Sequence, residues 1–244
     1  MDRKGTIAMG FESVYVVGSG KLAQAILAHS AIPPQLQVER WSRTTVDSDR
    51  AAIVLHAGSG REMAECLGFC SRTRSIFLQL STGQESPPPS PGFPYVVCPN
   101  TSILVLKLLS LLRAHPGIFR EHEISLTESH QATKSSEPGT AFAFADSLGI
   151  PREQIHAIRD PKTQTDEIGI PVEHLSAHAW HRISLRDAAA EITLETRVLG
   201  LSPYAEGAWE IVQAARDMPL EGRTYSVLDV LEASWSRGQV GARS

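Results

Sequence analysis

The chain of 244 residues can bury one large or two smaller cores, since 42% of its residues are hydrophobic. A formal net charge of −4, without long runs of like charge, disfavours a nucleic-acid partner. No segment reaches the roughly 18 apolar residues of a membrane span or forms a signal peptide, so we expect a cytosolic protein. The three cysteines fit neither a disulfide framework nor a metal site, and no metal is predicted.

The first half of the chain alternates between predicted strands and predicted helices. Apolar strands are predicted over residues 12–20, 36–43, 51–58, 75–83 and 95–100, with helices over residues 21–30, 61–70 and 102–115. This alternation is typical of a parallel sheet covered by helices. It predicts an α/β fold that begins with a Rossmann-like domain.

Beyond residue 102 the pattern changes to longer alternating strands. Strands are predicted over residues 123–130, 181–187 and 190–200, and helices over residues 139–150, 204–217 and 226–234. They predict a second, α+β domain with a mixed or antiparallel sheet. We assign residues 1–102 and 218–244 to the dinucleotide-binding domain. Residues 103–217 form the predicted domain for substrate binding and oligomerisation.

A glycine-rich turn follows the first predicted strand. Its sequence matches GxGxxA, and its residues are Gly18, Ser19, Gly20, Lys21, Leu22 and Ala23. Small residues between a strand and a helix let the backbone approach a pyrophosphate, and the helix amides then face its charge. An ordinary tight turn is the alternative, but the position on the first strand-to-helix turn favours dinucleotide binding.

The end of the second strand bears on the choice of dinucleotide. Glu39 is a candidate partner for a ribose 2′-hydroxyl, as in NADH. Arg40 and Arg43 bracket the same region and are candidates for a 2′-phosphate, which favours NADPH slightly over NADH. The alternative is that both arginines are only solvated loop residues.

A polar segment in the second half concentrates the candidate chemistry. His130 and Lys134 lie four residues apart, and Gly139 and Thr140 open the next predicted helix. A helix N-terminus with a threonine hydroxyl can hold a carboxylate. Histidine can supply a proton near neutral pH, and lysine can supply a proton or a positive field. A histidine and a lysine in a loop are otherwise often merely solvated.

This segment resembles the E-x-H-H-x-x-K-x-D-x-P-S-G-T-A segment of dihydrodipicolinate reductases, once one residue is deleted before the glycine. The matching residues are Glu128, His130, Lys134, Pro138, Gly139, Thr140 and Ala141. The LSTG sequence at residues 80–83 resembles the family's GTTG loop near the nicotinamide, and the CPNTS sequence at residues 98–102 resembles its A-P-N-x-S hinge. The resemblance therefore adds Ser81, Thr82, Gly83, Pro99 and Asn100 to the cofactor site.

The resemblance implies a tetrameric, NAD(P)H-dependent enzyme that reduces a cyclic, unsaturated dicarboxylic imine in lysine biosynthesis. His130 would donate a proton or support its donor, and Lys134 would hold the substrate and stabilise developing charge. Gly139 and Thr140 would bind a substrate carboxylate.

Several positions depart from the family segment. Gln131 replaces the second histidine, Ser136 stands near the expected aspartate, and the serine before Gly139 is missing. The glycine loop also lacks the family's G-x-x-G-R-M-G. A specialised paralogue that reduces another amino-acid-derived imine acid therefore stays open, as does a non-catalytic nucleotide-binding regulatory protein.

Three further histidines, His174, His178 and His181, lie close together in the sequence. Without a nearby glutamate or cysteine at ligand spacing, they do not predict a metal site. We expect them at the surface or at a subunit interface.

Overall fold

The computed structural model describes residues 11–30, 32–42, 49–81, 87–88, 90–132 and 138–241. The chain divides into two compact units. The first contains residues 1–101 and 204–244, and the second contains residues 102–203.

The first unit contains a parallel sheet of six strands in the order β10-β5-β4-β3-β1-β2. The strands are β1 (Ser13–Val17), β2 (Gln37–Arg40), β3 (Ile53–His56), β4 (Ile76–Gln79), β5 (Tyr95–Val97) and β10 (Thr224–Ser226). The helices are α1 (Lys21–Leu27), α2 (Met63–Thr73), α6 (Ser202–Arg216) and α7 (Val227–Gly241). Helix α6 enters this unit at Tyr204.

The central strands of this sheet are buried on both faces. Every residue of β3 and β4 is buried, which explains why each strand is apolar up to its last residue, His56 or Gln79. An aromatic group packs beside the sheet, where Trp41 lies edge-on to Tyr15 and Phe69 with ring centroids 6.0 and 5.4 Å away. These contacts fix the region where β2 leaves the sheet.

The second unit contains a mixed sheet of four strands in the order β7-β6-β8-β9. The strands are β6 (Glu123–His130), β7 (His156–Ile158), β8 (His178–Arg186) and β9 (Glu191–Leu199). Strands β6 and β7 are parallel, and the other pairs are antiparallel. Helices α3 (Ile103–Ala114), α4 (Gly139–Leu148) and α5 (Pro161–Asp166) complete the unit, with 3-10 turns at Arg152–Gln154 and Val172–His174.

The predicted fold class is confirmed, because a parallel α/β sheet and a separate mixed sheet are both present. The predicted division between domains is wrong at one place, since α6 from Tyr204 onward belongs to the first unit and not to the second. The indole of Trp209 donates a hydrogen bond to the carbonyl of Ile26 at 3.1 Å, and the apolar face of α6 is buried. Packing and this buried hydrogen bond assign the helix to the first unit.

Two further findings concern the described ranges as a whole. None of their helices is both long enough and apolar enough to cross a membrane. Within the same ranges, no three His, Cys, Asp or Glu side chains are grouped so that they could hold a metal ion.

A buried serine joins β3 to β4 in the first unit and permits a test of the fold. Ser75 Oγ accepts a hydrogen bond from the Ala52 amide at 2.9 Å, and Ser75 is fully buried. We expect Ser75→Ala to lower the free energy of unfolding by about 1–3 kcal/mol, because it leaves a buried amide without its acceptor. Urea unfolding measures this. Ser236→Ala, on the exposed side of α7, is the control, and equal effects of both variants would contradict the assignment.

Candidate functional site

The glycine loop of the first unit is held close to the chain that follows β3. Gly18 has a φ of +115°, and a Cβ atom built there would lie 2.8 Å from the carbonyl oxygen of Ala57. Only glycine fits this conformation and this spacing. Gly20 immediately precedes α1, so the loop makes the predicted turn from strand to helix. Ser19, Gly20 and Lys21 are exposed on it, and Leu22 is partly buried.

A cavity of about 360 Å³ opens beside this loop. Its lining consists of Val17, Gly18, Ser19, Arg40, Trp41, Ser42, Glu62 and Glu65. Arg40 Nη1 donates a hydrogen bond to the Gly18 carbonyl at 2.5 Å, which ties the end of β2 to the loop. Of the two alternatives at this strand end, Arg40 lines the cavity, whereas Glu39 is exposed and is not part of the lining. Arg43 lies outside the described residues.

The other predicted cofactor residues follow β4 and β5. Ser81 Oγ lies 3.2 Å from Nδ1 of His56, a fully buried residue at the end of β3. Burial lowers the pKa of His56, which favours its neutral form. Pro99 is exposed and Asn100 is buried just after β5. Thr82 and Gly83 lie outside the described residues.

Those predicted cofactor residues that the structure describes therefore lie at or just after the carboxyl ends of β1, β2, β4 and β5, the edge where open α/β sheets bind ligands. The cavity also has acidic residues, Glu62 and Glu65 around the start of α2, which sequence reasoning did not assign to the site. The sequence signal that could have indicated these two residues is their position at the start of the predicted helix that follows β3.

The second candidate site lies at the end of β6. His130 is the last residue of this strand and is buried, and Glu128 lies two residues earlier on the same face. His130 Nδ1 and Glu128 Oε2 are 2.5 Å apart. Alternation along the strand explains the pair, because residues two apart point to the same side of a sheet.

Glu128 is also paired with Arg159, which follows β7. The arginine Nη2 donates to Glu128 Oε1, and its Nη1 donates to the Ile158 carbonyl at 2.9 Å. The Glu128 side chain has no exposed surface, whereas that of Arg159 is 30% exposed. Burial opposes ionisation of Glu128, but hydrogen bonds and charge attraction from His130 and Arg159 outweigh it and lower the pKa of the carboxyl. Glu128 is therefore a carboxylate.

A second layer of hydrogen bonds supports the same strand end. Gln164 Nε2 donates to the carbonyl of His130 at 2.8 Å and to Ser129 Oγ at 3.1 Å. His178 Nδ1 lies 3.1 Å from the carbonyl of His174, and His178 Nε2 lies 3.0 Å from Ser129 Oγ. Since only a ring N–H can pair with a carbonyl, Nδ1 carries the proton and Nε2 accepts from the serine hydroxyl.

The expectation that the three later histidines lie at the surface or an interface is wrong for His178 and His181. Both are buried in β8, with 5% and 1% of their surfaces exposed, while His174 is partly buried. Strand β8 begins three residues earlier than predicted, which brings both histidines into the sheet. His181 Nδ1 pairs with Thr196 Oγ1 at 2.9 Å.

The rings link His130 to helix α4. The His181 ring packs edge-on against His130, at 5.6 Å, and against Phe144 of α4, at 5.4 Å. Gly139 and Thr140 form the first residues of α4, and both are partly buried. The predicted helix start is therefore confirmed. Lys134 lies outside the described residues.

The structure thus forms two separate groups from the predicted site residues. The cofactor residues lie in the first unit, while His130, Gly139 and Thr140 lie in the second. Sequence reasoning missed Arg159, Gln164, His178 and His181 as parts of the second group. The short strand β7 and the six-residue helix α5 that position Arg159 and Gln164 were not predicted.

Known proteins resemble this chain in sequence and in fold, although no family model matches it. Two chloroplastic 4-hydroxy-tetrahydrodipicolinate reductases of Arabidopsis thaliana are each 38% identical over 126 residues. A probable reductase of the same name from Oryza sativa subsp. japonica is 34% identical. These matches cover 48% of this chain and 36–37% of the relatives, so the chain spans little more than a third of their length.

The fold gives the second comparison. A dipicolinate-bound dihydrodipicolinate reductase from Paenisporosarcina sp. TG-14 superimposes with a TM-score of 0.59 at 15% identity, covering 88% of this chain and 97% of that one. The resemblance to dihydrodipicolinate reductases is confirmed. An engineered D-amino acid dehydrogenase has a TM-score of 0.51 at 10% identity, over 88% of this chain and 93% of that one. At these identities the structures show a shared fold.

Two glycines of this reductase-like chain give a matched test of the loop geometry. Gly18→Ala forces a side chain into a left-handed backbone against Ala57, and we expect a loss of about 1–3 kcal/mol in the free energy of unfolding. Gly68 lies exposed within α2 with open space around it, so Gly68→Ala should add about 0.5–1 kcal/mol through helix propensity. Urea unfolding compares the two. Effects of the same sign would contradict the close approach.

Proposed function

We propose that the chain is an NAD(P)H-dependent reductase of the dihydrodipicolinate reductase type, acting on a cyclic, unsaturated dicarboxylic imine. The observation that carries this proposal is the buried Glu128–His130 pair, which holds an imidazole at the end of β6 and is linked through the His181 ring to Phe144 of α4. Similarity to named 4-hydroxy-tetrahydrodipicolinate reductases supports the substrate class.

The first unit is the proposed cofactor-binding unit. When bound there, NAD(P)H would be the source of the hydride for an electron-poor carbon of the substrate. Gly18 lets the backbone come close to a pyrophosphate, and Ser81 and Asn100 lie at the sheet edge for the nicotinamide part. Arg40 in the cavity lining favours a 2′-phosphate, and therefore NADPH, whereas the neighbouring Glu62 and Glu65 make the local charge less positive.

The second unit is the proposed substrate-binding unit. Reduction of a double bond needs one hydride and one proton. In our proposal His130 gives the proton from Nε2, because Nδ1 faces the Glu128 carboxylate. The first amides of α4, with the Thr140 hydroxyl, bind a substrate carboxylate. Lys134, between these two groups in the sequence, is assigned the second contact to the substrate and the stabilisation of developing charge.

A specialised paralogue is the second candidate function. Gln131, at the position of the family's second histidine, cannot carry a positive charge, so one part of the expected anion site is altered. A related imine acid with a different substituent would fit such a change. The tetramer implied by the resemblance and the cytosolic location both stay predictions.

The first test is NADPH oxidation with enzymatically generated hydroxy-tetrahydrodipicolinate. We expect turnover by the unaltered chain and a fall in kcat of about 100-fold or more in His130→Ala, because proton donation is lost. NADPH affinity should be nearly unchanged, since His130 belongs to the other unit. His115→Ala, at an exposed histidine, is the control.

The result separates the remaining candidates. NADPH binding without reduction of any cyclic imine acid would contradict the reductase and favour a regulatory nucleotide-binding protein. Oxidation with a different cyclic imine acid alone would favour the specialised paralogue.

A further inference from the structure

We propose that Arg159 and Glu128 are positioning residues that together set the protonation of His130, with Arg159 keeping the histidine from being held permanently as an imidazolium. The consequence for catalysis rests on the proposed function, while the electrostatic arrangement is a property of the second unit alone. Neither residue needs to touch substrate in this role.

The geometry makes Glu128 a bridge between Arg159 and the titratable ring of His130. Its Oε2 faces His130 Nδ1 at 2.5 Å and its Oε1 accepts from Arg159. The arginine is held by its bond to the Ile158 carbonyl, so it cannot turn away without losing a second contact. With no exposed surface on Glu128, solvent screens these charges weakly.

The sign of the effect follows from counting charges. With Arg159 present, the arginine and the carboxylate cancel, and a neutral His130 leaves the group uncharged. Without Arg159, the buried carboxylate has only His130 as a counter-charge, and proton uptake by the imidazole becomes strongly favoured. Without the carboxylate, Arg159 faces His130 as a like charge and proton uptake is opposed. Removal of Arg159 therefore raises the pH at which His130 titrates, whereas removal of Glu128 lowers it.

The described side chains that pack on this group from β8, α4 and α5 bring no fixed charge. On β8, His181 packs against the His130 ring, and His178 lies behind Ser129. Burial lowers the pKa of His178, which keeps it neutral. Gln164 of α5 and Phe144 of α4, which packs on the neighbouring His181, carry no charge. Within the described part of the second unit, the ion pairs of this group join Glu128 to His130 and to Arg159.

The carboxylate also selects the ring tautomer. A carboxylate accepts hydrogen bonds only, so Nδ1 of His130 must carry a proton in the neutral ring. Nε2 is then the atom that gains and loses the second proton. In the proposed reaction, Nε2 donates this proton to the substrate in each turnover. The ring must then take up another proton from solvent near the working pH.

The test is an NMR titration of His130 in the full chain, without substrate, using long-range proton–nitrogen correlations and His130→Gln for assignment. We expect Arg159→Met to raise the midpoint of the His130 titration by about one pH unit, and Glu128→Gln to lower it by about one unit. Arg159→Lys retains the charge, so its His130 midpoint should lie close to that of the unaltered chain. Arg152→Met, which removes an arginine from an exposed ion pair with Asp146, should leave the midpoint unchanged.

Shifts of opposite sign support the proposal, and their absence in folded variants, or shifts of the same sign, would overturn it. A loss of packing alone would shift the midpoint of the His130 titration in the same direction in both variants. Because no substrate is present, failure of the proposed reaction does not affect this outcome. If turnover is found, the alkaline limb of its pH profile should move in the same direction as each NMR midpoint. A limb that stays fixed while the NMR midpoints move would separate His130 from the proton-donating step.

Discussion

The candidate substrate site depends on one buried charge. Glu128 has no exposed side-chain surface, and a carboxylate in such a place is stable only when paired and hydrogen-bonded. Two partners, His130 and Arg159, meet this need from different elements. The same requirement explains why the short strand β7 runs parallel to β6: it brings the following arginine to the end of the site. Stability and function thus use the same contacts.

The first unit, which we propose binds the nucleotide, depends on a steric constraint instead. Two backbone segments approach so closely that Gly18 cannot carry a side chain. The close approach aligns the ends of β1 and β3, and the bond from Arg40 to the Gly18 carbonyl adds the end of β2. A cavity lined by the ends of β1 and β2 and by residues around the start of α2 lies at the edge where open α/β sheets bind ligands.

The parts of the fold with strong local signals could be predicted from the sequence. The apolar strands and the glycine turn define the parallel sheet, and the alternating strands define the mixed one. Strand β7 was missed because it has three residues and lies between the Pro151 turn and Pro161, so no period can be recognised. The position of α6 was missed because the bond from Trp209 to Ile26 joins residues far apart in the sequence.

The residues of the candidate site likewise divide into those that the sequence predicts and those that it does not. His130, Gly139 and Thr140 could be named because they lie in one continuous segment. Arg159 could not, because its only connection to Glu128 is tertiary, across 31 residues. His178 and His181 were misjudged because a polar sequence at the start of β8 suggested exposure. His181 is buried opposite Glu128 on the neighbouring strand and His178 is buried beside Ser129, and both neighbours are about 50 residues away in the sequence.

In the proposed reaction this chain transfers a hydride from a reduced nicotinamide to a cyclic imine acid. The transfer can be followed with NADPH that carries deuterium on one face of the nicotinamide C4 atom, in both stereoisomers, and with mass spectrometry of the reduced product. We expect one deuterium atom in the product from one stereoisomer and none from the other. A product without deuterium from either isomer, or no reduced product while NADPH is bound, would contradict it.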